Sequence, residues 1–154
     1  MKNKLFFVLI LGWGILSVRT SAILRAEPLP ANEVYLDRDC QILEDLSQFD
    51  KWAVVYQSEF QAVDETYWFY AGQYQDGAVL FCISKPKFSQ ARVLNEKKLQ
   101  NQFIEKITKD PNSNSMFMIT VRDGNGRNVS LTDYQLDLAN LNQPILTRLG
   151  ETSN

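Results

Sequence analysis

The segment that most restricts the fold runs from Thr66 to Ser84. Thr66 to Tyr74 is packed with aromatic residues and Ala78 to Ser84 is mostly apolar. Between them stands Asp76-Gly77, the dipeptide that favours a two-residue primed turn. A hairpin follows. With Asp76 and Gly77 as its loop, Tyr74 faces Val79, Gly72 faces Phe81, Ala71 faces Cys82 and Tyr70 faces Ile83. Trp68, Tyr70, Tyr74, Val79, Phe81 and Ile83 then share one face, and Tyr67, Phe69, Leu80 and Cys82 the other. Both faces are apolar, which places the pair inside a sheet, and Pro86 ends it.

Around this hairpin the periodicity predicts two helices. Ile42, Leu43, Leu46 and Phe49 recur at helical spacing over 39–49, with Asp39 as a cap and Cys40 in the first turn. Over 95–107, Asn95 is a cap, Leu94 and Leu99 suit a hydrophobic staple, and Leu99, Phe103, Ile104 and Ile107 form a stripe. Trp52 to Tyr56 reads as a strand. Met116 to Arg122 and Arg127 to Thr132 read as a second hairpin about a Gly-rich turn. Residues 133–141 fit either a strand or a helix. The order predicts an α+β fold: an antiparallel sheet of about five strands, two hairpins and one further strand, with two helices packed on it. A single globular domain is expected over 33–143, after an extended lead-in at 23–32 and before a loosely packed tail at 144–154.

The first residues carry an address. Lys2 and Lys4 precede an apolar run from Leu5 to Val18, and small residues follow to Ala22. These are the parts of a secretory signal, with cleavage after Ala22 or, as the alternative, after Ala26. The run is shorter than the roughly 20 residues of a membrane-spanning helix. An uncleaved leader would anchor the chain at the membrane instead. The expected location is secreted or periplasmic.

An oxidising compartment gives the two cysteines a meaning. Cys40 and Cys82 lie 42 residues apart and form no C-x-x-C redox pair. They are expected to form a structural disulfide, with Cys82 beside Phe69, Ala71 and Leu80 and the first helix docked on that face.

Composition narrows function by exclusion. The 16 Lys and Arg include Lys2, Lys4, Arg19 and Arg25 within residues 1–26, so 12 bases face 18 acids over residues 27–154. A charge near −6 disfavours a grip on nucleic acid. The chain has no histidine, which removes imidazole bases, Ser-His-Asp and Cys-His nucleophiles, and His-containing metal sites. No metal, cofactor or catalytic residue is assigned. Asp123-Gly124-Asn125-Gly126 opens like a calcium loop, but Arg127, Asn128 and Tyr134 occupy positions that need a ligand, a glycine and a glutamate. A turn accounts for it. Asn128-Val129-Ser130 is a glycosylation sequon without further support.

Two candidate sites remain. Tyr56, Trp68, Tyr70 and Tyr74 offer large rings with polar tips, suited to a binding surface, although such residues also form central strands and core packing is their default role. Glu59, Asp64 and Glu65 could supply a carboxylate pair for glycoside hydrolysis. The expectation is an exported, non-catalytic binding or interaction module whose partner is an envelope or secreted protein. A carboxylate-dependent hydrolase acting on carbohydrate is the alternative.

Overall fold

A computed structural model describes residues 34–47, 50–75, 77–94, 99, 101–124, 126 and 129–153. The leader, the lead-in, the sequon asparagine, Phe49, Asp76 and the proposed cap Asn95 lie outside the described residues. The described chain is nine β-strands in two antiparallel sheets. The first sheet holds β1 (Tyr35–Leu36), β2 (Trp52–Ala62), β3 (Glu65–Gln73), β4 (Val79–Ser84) and β5 (Arg92–Leu94) in chain order. The second holds β6 (Phe103–Lys109), β7 (Met116–Arg122), β8 (Ser130–Asp137) and β9 (Ile145–Ser153), again in chain order. Within each sheet every connection is therefore a meander between neighbours, and the β5–β6 connection passes from one sheet to the other.

This overturns the α+β expectation: no α-helix occurs among the described residues. The second predicted helix fails for a specific reason. Ile104 and Ile107 stand three apart, a helical spacing, yet both belong to β6 and both meet the core between the sheets. A β-bulge between Ile104 and Lys106 inserts one residue, so Ile104 pairs with Val121 and Ile107 with Ile119 on the same face. The extra residue turns a period of two into an apparent helical step.

The first predicted helix loses to local side-chain bonding. The Asp37 carboxylate accepts the N–H groups of Asp39 and Gln41, and Cys40 adopts a positive φ of 65°. Leu36 and Ile42 form an antiparallel bridge. The segment is a tight turn instead of a helix. Ile42 and Leu46, expected to be buried, are 45% and 47% exposed.

The central hairpin exists with a register one residue from the expected one. Tyr74 N–H donates to Ala78 O and Gly77 N–H to Tyr74 O, a three-residue loop with Gly77 at φ 88°. Gly72 consequently faces Leu80, Ala71 faces Phe81, Tyr70 faces Cys82 and Phe69 faces Ile83. The slip exchanges the faces of one strand relative to the other. Tyr67, Phe69, Ala71, Val79, Phe81 and Ile83 now point toward the second sheet, where Phe117, Ile119, Val121, Leu136 and Leu138 meet them. Phe69 and Phe117 lie 4.7 Å apart at the centre.

The outer face of the first sheet is covered by chain segments, which explains why both faces are apolar. Leu36, Cys40, Tyr70, Leu80 and Cys82 form a second buried cluster, flanked by Trp52, Trp68 and Phe88. The expected disulfide is present, with Cα atoms of Cys40 and Cys82 5.9 Å apart. It fastens the 37–43 turn, not a helix, to the sheet, and Cys82 neighbours Tyr70 instead of Phe69. A disulfide is the mark of an extracytoplasmic protein. Among the described residues no helix is long and apolar enough to cross a membrane.

Of the ambiguous residues 133–141, 133–137 continue β8 and 138–141 begin its connection to β9, and the expected tail is the nine-residue β9 paired along β8. Most of its side chains stay exposed, with Leu146 turned into the core.

Candidate functional site

The inward face of the first sheet changes character toward the 62–65 turn. Alternation places Phe69, Ile83 and Leu94 in the core. One pleat further on β3 stands Tyr67 and then Glu65, while Lys85 follows the end of β4 and Arg92 pairs with Ile83. The same row of inward positions thus passes from apolar to charged. Opposite it runs the connection from β8 to β9, and between them opens a groove of about 910 Å³. Val63, Asp64, Glu65, Tyr67, Lys85 and Arg92 form one wall, with Asn140, Leu141 and Asn142 on the other.

Its polar groups are tied together. Lys85 Nζ lies 2.5 Å from Glu65 Oε1, the Tyr67 hydroxyl donates to Glu65 Oε2 at 2.8 Å, and Lys85 sits over the Tyr67 ring. These contacts hold the Glu65 carboxyl below its usual range, the hydrogen bond from Lys85 first and that from Tyr67 second. The same bond to Glu65 pushes the Tyr67 hydroxyl upward. Arg92 spans the opening and donates to Leu141 O at 2.6 Å.

The turn between β2 and β3 is unusual. Val63 and Asp64 both have positive φ, 50° and 60°. Two such residues fit the primed turn that a twisted hairpin prefers, but Asn and Gly are its usual occupants. A β-branched residue there is an outlier. Val63 is also 73% exposed.

The four aromatic candidates are not gathered on one surface. Tyr56 lies between the sheets, edge-on to Phe117, because a bulge between Val54 and Tyr56 turns it inward. Tyr70 is fully buried. Phe88 stacks on its ring at 4.4 Å, and its hydroxyl oxygen accepts Phe88 N–H and the Ser84 hydroxyl. Burial raises the hydroxyls of both Tyr56 and Tyr70 above the usual tyrosine range. Trp68 is half-buried on the outer face beneath Lys87. Tyr74 packs on Trp52 at the far end.

The carboxylates also separate. Glu59 pairs with Trp68 and is exposed on the outer side, whereas Asp64 and Glu65 border the groove. Among the described residues no group of three or more Cys, Asp or Glu is arranged to hold a metal ion.

Lys85, Arg92 and the 140–142 segment were not singled out by the sequence. Each looks like an ordinary loop or edge residue. For Arg92 the signal is a charge at an inward strand position, which appears only once the register is known; Lys85 follows β4 and 140–142 lie in the β8–β9 connection, where the sequence carries no such mark. No protein family, curated protein or solved structure matches this chain.

Proposed function

We propose that the protein is an extracytoplasmic, non-catalytic binding module whose ligand seats in the groove between the 62–65 turn and the β8–β9 connection. The observation that carries this reading is the row of inward positions that turns charged at one end of the sandwich. Glu65, Lys85 and Arg92 stand past the end of the core and are exposed, so the row leaves the packed interior and lines the groove; such breaks in pattern concentrate at functional sites. A concave site with a few fixed polar groups beside apolar ones is the usual form of a ligand site.

The state of Glu65 favours binding over hydrolysis. A glycosidase acid needs a raised pKa and a second carboxylate across the scissile bond. Glu65 is shifted the other way by Lys85 and Tyr67, Glu59 belongs to the opposite face of the sheet, and Asp64, its neighbour in the chain, lies on the same wall of the groove and not across it. An amide-resolved NMR titration with a panel of soluble oligosaccharides and short peptides tests the reading, alongside an assay for new reducing ends. Shifts centred on Glu65, Tyr67, Lys85 and Arg92 without product release are expected. Shifts confined to the outer face, or product release abolished by Glu65→Gln, would overturn it.

A further inference from the structure

We infer that the groove receives a ligand carrying an apolar group beside a carboxylate, with Val63 touching the apolar group and Arg92 the carboxylate; this rests on the binding reading above and names its chemistry. Three independent observations meet here. Val63 is held at φ 50° with its side chain 73% exposed, so it combines backbone strain with an apolar group left in water. Neither serves the fold, because Asn or Gly would make the same turn without strain. Residues kept in strained conformations cluster at ligand contacts, and here the strained residue also borders the groove. Leu141 provides a second apolar contact on the facing wall.

Arg92 supplies the charge. Lys85 is neutralised by Glu65, but Arg92 has no carboxylate partner among the described residues. Its bond to Leu141 O holds the guanidinium across the opening and leaves other N–H donors in place. A planar fork positioned in this way suits a carboxylate, which it can bind through two parallel hydrogen bonds. Asp64 also borders the groove, on the exposed turn and without such anchoring, so an amine is the competing ligand chemistry.

The shared chemistry has two sources, a fatty acid and a peptide C-terminus, and the probes separate them. Octanoate, octanamide and octylamine form one series. N-acetyl-Gly-Val-Leu with a free carboxylate and its C-terminal amide form the other. Each is titrated into the full domain by NMR, using wild type, Arg92→Gln and Val63→Asn. In at least one series the acid should bind roughly five- to tenfold more tightly than its amide, and Arg92→Gln should abolish that difference. Val63→Asn should weaken the acid and the amide alike while raising the melting temperature, since Asn tolerates positive φ. The tighter series identifies the source. Equal binding of acid and amide, preference for octylamine, or unchanged affinity in Val63→Asn would overturn the inference. If a neutral oligosaccharide shifts the groove resonances and neither acid does, the binding reading stands and this inference falls. If no probe shifts them, both fall.

Discussion

Two hairpin turns bracket β3, and the molecule builds them in opposite ways. At the 74–78 turn the residue with positive φ is Gly77, and the Phe103 ring packs where its side chain would be. Beside it, the Gln73 amide accepts Ile104 N–H and reaches Gln102 O, stitching the first sheet to the edge of β6. At the 62–65 turn the positive φ angles belong to Val63 and Asp64, and the sheets part to form the groove. One end fits its residues to its backbone and closes. The other keeps a misfit residue and stays open. Other non-glycine residues also take positive φ, but Cys40 does so buried and bridged to the sheet, whereas Val63 does so with its side chain in solvent.

The sharpest challenge to this contrast comes from the disulfide, which lies on the outer face near neither turn. If packing closes the 74–78 end, replacing Cys40 and Cys82 by serine should lower global stability without loosening that end. The loop of 42 residues sets a cost of roughly 2–5 kcal/mol. Urea denaturation gives the global figure, and amide exchange at Ile104 reports the local one. Selective loss of protection at Ile104 would show that the bridge, not the packing, maintains the closed end.

Gly77→Val strikes the closed end directly. Its φ of 88° disfavours any side chain, and an added Cβ would stand 2.8 Å from Phe103 Cε2. Strain and displacement of the ring together should cost about 2 kcal/mol. A thermal melt unchanged by the substitution would remove the distinction between the two turns.

Legibility in the sequence followed how local each signal was. The central hairpin and the first strand of the second hairpin were readable because alternation and turn residues lie close together, while the second strand, expected over Arg127 to Thr132, is found at Ser130–Asp137. The disulfide was readable because two thiols, after a leader that reads as a secretory signal, leave few arrangements. The helices were misread because bulges and side-chain turns alter the apparent period: Glu105 is the inserted residue that brings Ile104 and Ile107 onto one face, and the Asp37 carboxylate caps a turn that resembles a helix start. The hairpin register failed by one residue because Asp-Gly serves three-residue loops as well as two-residue ones. That slip concealed the site. Until Phe81 and Ile83 are placed on the face of Phe69, nothing shows that Arg92 points inward.

A smaller effect is expected from Gln73→Leu. The change leaves Ile104 N–H without its acceptor at 2.8 Å and removes the weaker bond to Gln102 O. An unpaired, partly buried N–H should cost about 1–2 kcal/mol, and β6 amides should exchange faster than those of β8. Uniform exchange across the second sheet would mean that Gln73 contributes nothing to closing this end.

The smallest effect belongs to the open end and depends on pH. Glu65 titrates below its ordinary 4.5 in the folded protein because Lys85 and Tyr67 hydrogen-bond the ionised form. Its folded pKa is thus depressed relative to the unfolded chain. The resulting stabilisation is fully present above the unfolded value and disappears as pH falls through the folded one. Exposure to solvent keeps this contribution small, as for other surface ion pairs. Asp45 is also shifted downward, by Ser47, so the acid limb of the wild type alone cannot isolate Glu65. Comparison with Glu65→Gln does: the melting temperature of the wild type should fall more steeply than that of the variant between pH 5 and pH 3, and the curves should run parallel above pH 6. Added salt should narrow the difference. Parallel curves throughout would mean that the Lys85–Glu65–Tyr67 cluster does not organise the groove in solution, and the open end would lose the fixed polar wall on which its role as a site depends.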